Sequence, residues 1–137
     1  MPEARLRPKI VRMLTDLARE EPVALGVSGR CMEPAIESGS VVSIEGQTVY
    51  FPGDVVAVRL PDGRVVLHRF LGYRPLGARL GVVTCADNAR IPDAAAPASS
   101  VIGKVKGSRP TPRERAAAAS SYALFAAAYL RRRTFGR

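Results

Sequence analysis

Apolar residues recur at helical spacing near the start of the chain and at strand spacing through its middle. Ile10, Val11, Leu14, Leu17 and Ala18 share one side of a helix predicted over residues 5–20, with Arg12, Asp16, Arg19 and Glu20 elsewhere around the turn. Pro8 suits a first turn, where no backbone N–H is needed, and Pro22 ends the run. From residue 23 the pattern changes. Short runs rich in Val, Ile and Leu cover 23–28, 41–45, 54–60, 64–74, 79–86 and 101–106, parted by Gly, Pro, Asp and Asn. Between two of them, Pro61-Asp62-Gly63 reads as a hairpin turn, because Pro presets the first turn dihedral and Gly accepts positive φ. Strands so closely spaced, with no helices between them, predict a mainly β fold: an antiparallel sheet or a small, partly open antiparallel barrel. Residues 88–100 are polar and rich in Ala, Pro and Ser, which predicts a long surface loop.

After Gly107 the composition shifts again. Ser108 to Pro112 reads as a linker, and residues 113–133 as an Ala-rich helix flanked by arginines. Its uncharged centre, Ala116 to Leu130, is 15 residues long. At ~1.5 Å per residue that is about 22 Å, short of the ~30 Å of a bilayer's hydrocarbon. Tyr122, Phe125 and Tyr129 fall on one face. Two readings stand: that face docks on the body or a partner, or the helix lies on an anionic membrane surface with its arginines among headgroups. The chain thus divides into an amphipathic helix (1–22), a β domain (23–107) and a basic linker with its helix (108–137).

Charge sharpens this division. The 137-residue chain carries a net charge of +9, and residues 104–137 alone hold nine basic groups against one acidic. A nearly neutral body with a basic tail argues for a surface-seeking appendage and against a nucleic-acid-reading domain. Arginine far outnumbers lysine, which occurs only at Lys9, Lys104 and Lys106, a bias associated with GC-rich bacterial genomes. Two cysteines make no disulfide framework. The opening residues lack a secretory pattern and no segment is apolar enough to span a bilayer, so the expected location is the cytoplasm, with peripheral membrane contact through the tail.

Three features carry candidate chemistry. Cys31 stands in Ser28-Gly29-Arg30-Cys31-Met32-Glu33-Pro34, a turn-prone run that suits a bend presenting a thiol, although a free Cys is commonly a small core residue. His68, the single histidine, sits on a strand where alternation puts it beside Val66 and Phe70. That apolar setting favours a neutral ring able to take a proton. Cys85-Ala86-Asp87-Asn88 closes another strand, with Asp93 beyond it and Cys85 on the same face as Asp87. Cys31, Cys85, His68 and Asp87 are acceptable zinc ligands, but no Cys-x-x-Cys pair is present, so neither metal nor other cofactor is expected. A Cys31–Cys85 redox pair is a further reading, as is a buried Cys85.

Taken in order, these boxes resemble the signal peptidase I family and the self-cleaving LexA-like repressors, which share one fold. Ser-Gly-x-Cys-Met-x-Pro resembles the nucleophile box, with Cys31 where those proteins carry Ser. Phe51-Pro52-Gly53-Asp54-Val55-Val56-Ala57-Val58 resembles the Gly-Asp strand, and Val65-Val66-Leu67-His68-Arg69-Phe70 the strand that supplies the base. The base is His in the archaeal and endoplasmic-reticulum branch, the branch His68 resembles. Ala86-Asp87-Asn88 through Asp93 resembles the Gly-Asp-Asn box and the later aspartate, and Val101-Ile102-Gly103-Lys104-Val105 the closing strand. Ser40 stands for the usual Asp after Gly39, Ala86 for the Gly of Gly-Asp-Asn, and no membrane anchor precedes the nucleophile box.

The resemblance implies an endopeptidase acting on an extended peptide or preprotein segment. Cys31 would be the nucleophile, His68 the base and Asp93 the residue that orients the imidazole, with Asp87 as rival for that place. Arg30 and Cys31 would offer backbone N–H groups to the oxyanion, with Ser28, Met32 and Pro34 beside the substrate. The alternative is an inactive member that binds a peptide or protein partner in the same groove. Oligomeric state is open.

Overall fold

The computed structural model describes residues 5–26, 36 and 39–135. Helix α1 spans Pro8–Glu20, with proline in its first turn and extended backbone at Glu21. It starts later than its periodicity predicts, because the residues before it are already committed to the sheet. Arg5 bridges Arg64, and the Leu6 N–H donates to the Gly63 carbonyl at 3.0 Å. Val11 and Ala18 are buried in a cluster with Ile44, Val55, Ala57, Leu67, Ile102 and Val105, so α1 packs on the body. Its Ile10, Met13 and Leu17 stay exposed.

The strands are β1 (Val23–Gly26), β2 (Val41–Glu45), β3 (Val55–Arg59), β4 (Val65–Leu76), β5 (Arg79–Cys85), β6 (Ala96–Pro97) and β7 (Val101–Val105). They form one antiparallel half-barrel in the order β1-β2-β7-β3-β4-β5-β6. The β3–β4 hairpin closes where the sequence predicts: the Gly63 N–H donates to the Leu60 carbonyl at 2.8 Å, and Gly63 takes φ +91°, a value costly for any residue with a Cβ.

Side-chain alternation divides β4. Val66 and Phe70 face a cluster built from Tyr50, Val56, Val58, Leu60, Val82, Ala96 and Val101, enclosed by the curl of the sheet. Leu67 and Leu71 face the other way. A bulge between Phe70 and Gly72 shifts the register against β5. It leaves Gly72 close to α2 (Pro112–Phe135), where a Cβ would fall 2.8 Å from the Tyr122 ring.

Two predicted boundaries change. Within the expected 88–100 loop, Ala96–Pro97 pairs with Gly81 and Val82, and Ala98–Ser100 forms a single 3-10 turn. A two-residue edge strand containing proline has no periodicity to betray it. Helix α2 begins at Pro112, inside the expected linker. Thr111 caps it: the Glu114 N–H donates to Thr111 Oγ1 at 3.1 Å, and Thr111 N–H donates back to Glu114 Oε1 at 3.0 Å. Thr-Pro-Arg-Glu is thus a capping box with Pro at the first helical position, where proline is favoured.

Of the two readings of the aromatic face, the described residues show docking. Ala118, Tyr122 and Phe125 pack on Leu71 and Val83, the Tyr122 hydroxyl donates to the Tyr73 carbonyl, and the Arg74 guanidinium lies 4.7 Å over the Tyr129 ring. Among the described residues no helix is long and apolar enough to cross a membrane.

Candidate active site

The Phe51-Pro52-Gly53-Asp54 turn sets the register of β4. Asp54 is buried, and its Oδ2 accepts the Phe51 N–H at 2.9 Å. The Gly53 N–H donates to the Phe70 carbonyl at 2.8 Å, and the Phe70 N–H to the Asp54 carbonyl at 2.7 Å. Extended along β3, this pairing puts His68 opposite Val56.

His68 is 6% exposed and lies between Val66 and Phe70 on its face of the strand. Its Nδ1 is 2.5 Å from Asp93 Oδ2, and Thr84 Oγ1 donates to the same carboxylate oxygen at 2.8 Å. An oxygen that accepts the threonine hydroxyl also accepts from the ring, so in the neutral imidazole Nδ1 carries the hydrogen and Nε2 keeps its lone pair. The loop that brings Asp93 here is fastened to β5, since the Asp93 N–H donates to the Thr84 carbonyl at 2.8 Å.

Asp87, the rival orienting residue, faces elsewhere. Its two oxygens take Arg69 Nε at 3.1 Å and Nη2 at 2.7 Å. Arg69 follows His68 on β4 and so points to the opposite face. There its Nη1 donates to the Gly53 carbonyl at 2.9 Å, and Nη2 lies 3.3 Å from Glu114 of α2. The Asp87 hydrogen bond pushes the Arg69 pKa above its already high ordinary value, against the opposing effect of burial. A second ion pair joins Arg115 to Asp54 at 3.1 Å, and Arg115 also donates to the Pro52 carbonyl. The first turn of α2 therefore grips the turn that sets β4 and the arginine beside the histidine.

Cys85 lies on the Arg69 side, packed near Leu71, Val83 and Ala118, and is a free thiol. It does share a side with Asp87, but not with His68. Its Sγ lies 3.3 Å from the Ala86 carbonyl and 3.6 Å from the Ala89 carbonyl, within donor reach of both. Burial, with Asp93 and Asp87 nearby, raises the thiol's pKa, which keeps Cys85 protonated and a poor nucleophile at neutral pH. A zinc site drawing on Cys85, Asp87 and His68 is not assembled, because the sheet separates the imidazole from the other two. Ser28, Arg30, Cys31, Met32 and Pro34 lie outside the described residues.

Thr84 and Arg69 are the site residues that sequence reasoning missed. A charged residue inside the apolar run Val65–Leu71 was a readable signal, since buried guanidiniums need partners. Thr84 gave a weaker one: it alternates with Cys85 and so must face the other side of β5.

What the described part of the site can do is hold a buried imidazole in one tautomer on the enclosed face of a curled sheet, a disposition suited to general base catalysis. No curated protein matches the chain in sequence. The model of the peptidase S24-like family matches residues 5–106, which take in α1 and all seven strands, and the chain belongs to that family.

Proposed function

We propose that this chain hydrolyses peptide bonds with Cys31 as nucleophile, His68 as general base and Asp93 as the group that orients the imidazole. The observation that carries the reading is the Asp93–His68 contact with its Thr84 support, which fixes the tautomer a base needs. Family membership supplies the reaction class.

In this scheme His68 Nε2 removes the Cys31 thiol proton, and the thiolate adds to the scissile carbonyl carbon. The tetrahedral oxyanion is met by the backbone N–H groups of Arg30 and Cys31, each donor worth about 3 kcal/mol. Collapse breaks the C–N bond as His68-H⁺ gives its proton to the departing amine, leaving a thioester on Cys31. Water then adds with His68 again as base, and the acid product leaves with the thiol restored. Asp93 stays an acceptor throughout, stabilising the imidazolium. A thiol suits a single imidazole base, because the pair forms a thiolate far more readily than a hydroxyl forms an alkoxide.

The test is alkylation by iodoacetamide at pH 7 in a Cys85→Ser background. Fast labelling of Cys31 that His68→Ala slows by at least tenfold supports the reading, as does peptide cleavage that Cys31→Ala abolishes. Equal, slow labelling in both proteins would defeat it and leave a peptide-binding member of the family.

A further inference from the structure

At the end of the sheet where the β3–β4 hairpin, α1 and the 3-10 turn meet, a cavity of about 410 Å³ opens. Three arginines from three elements line it: Arg12 of α1, Arg59 of β3 and Arg79 of β5. Ser99 and Ser100 add hydroxyls, and buried Val11 and Leu60 add apolar wall. Among the described residues the lining contains no acidic side chain. Asp62, next in the chain to the lining Pro61, is engaged by Arg64 at 2.7 Å. Among the described residues neither Arg12 nor Arg79 makes an ion pair. Arg59 is fixed in place, its Nε donating to the Leu6 carbonyl at 2.6 Å.

Three like charges at one cavity repel each other unless an anion joins them, and guanidiniums are the side chains best shaped to hold phosphate or carboxylate oxygens in pairs. Orthophosphate is small for the space, which lies within the ~300–1,000 Å³ usual for small-molecule sites. We infer that this cavity binds a small polyanion bearing two or more phosphate or carboxylate groups, gripped by Arg12, Arg59 and Arg79 and hydrogen-bonded by Ser99 and Ser100. The site shares no residue with His68 and its partners, so the inference stands apart from the peptidase reading.

Tripolyphosphate and citrate serve as probes, titrated by calorimetry into the full chain at fixed ionic strength. We expect one saturable site that Arg12→Gln/Arg79→Gln weakens at least tenfold, while the melting temperature of that variant, changed only at exposed side chains, stays near the parent value. Ser99→Phe, which fills the cavity and keeps every charge, should also abolish binding. Tripolyphosphate binding alone identifies a phosphate ligand, and citrate binding alone a carboxylate. Absence of saturable binding by either probe overturns the inference. So does binding that survives both variants, which would report the tail arginines Arg131 and Arg132 instead.

Discussion

His68 and Arg69 are neighbours on β4, and the strand turns them to opposite faces of the sheet. Each meets an aspartate from the segment after β5: Asp93 for the imidazole, Asp87 for the guanidinium. On the first side the partners of the pair are a threonine and the apolar interior of the half-barrel. On the second they are a backbone carbonyl and Glu114 of α2. An imidazole can take up and release a proton while a guanidinium keeps its charge, so the same local architecture yields a proton acceptor on one face and a permanent clasp on the other. The clasp adds to a thin apolar contact: among the described residues only Leu71, Val83 and Ala118 are fully buried in the cluster under α2, against nine in the cluster that contains Phe70.

The comparison breaks most sharply if the imidazole is removed. His68→Ala should lower kcat/KM for peptide hydrolysis by about 10²–10⁴, the usual worth of a positioned base, with far less effect on melting. Arg69→Met should do the reverse. It removes the donor to Asp87, Glu114 and the buried Gly53 carbonyl and should cost about 1–3 kcal/mol in urea unfolding, with activity falling only as the loop bearing Asp93 loosens. Gly72→Ala tests the clasp without touching a charge. Its Cβ would meet the Tyr122 ring, so about 1–3 kcal/mol of overpacking should appear as faster amide exchange in α2. Thr84→Val removes one hydroxyl donor from Asp93 and should cost about 1 kcal/mol, read as a few-fold loss of rate.

The smallest effect sharpens the thiol comparison. Because folding raises the Cys85 pKa, mainly by burial, alkylation of the native protein at Cys85 should stay slow at pH 8 and climb only above the ordinary thiol range, while the unfolded chain reacts at pH 8. The folded state holds this proton to higher pH, so the contribution is complete below the ordinary thiol range and is lost as pH rises through the folded value.

Much of the fold was legible because its signals are local. Alternation marked six of the seven strands, Pro61-Asp62-Gly63 marked a hairpin, and Pro8 and Pro22 bracketed α1. The pairing of His68 with Asp93 came from the ordered boxes and not from any periodicity, since 25 residues separate them. What stayed hidden depends on tertiary partners. Nothing in Ala96-Pro97 announces a strand until Val82 lies beside it, and nothing in Asp87 reveals Arg69 as its partner. The start of α2 is written in Thr111-Pro112-Arg113-Glu114, where one of the two prolines that argue for a linker is instead the first residue of the helix.

The backbone bonds joining Gly53, Asp54 and Phe70 have a consequence for how the chain reaches this state. Slippage of β4 by a single position would carry every side chain of the strand to the other face, taking Val66, His68 and Phe70 out of the enclosed cluster and parting the Arg69 guanidinium from Asp87 and Glu114. Parting a buried guanidinium from its carboxylates costs several kcal/mol, so the slipped register is disfavoured against the native one. Adjacent residues of such different character thus act as a proofreading pair for strand alignment.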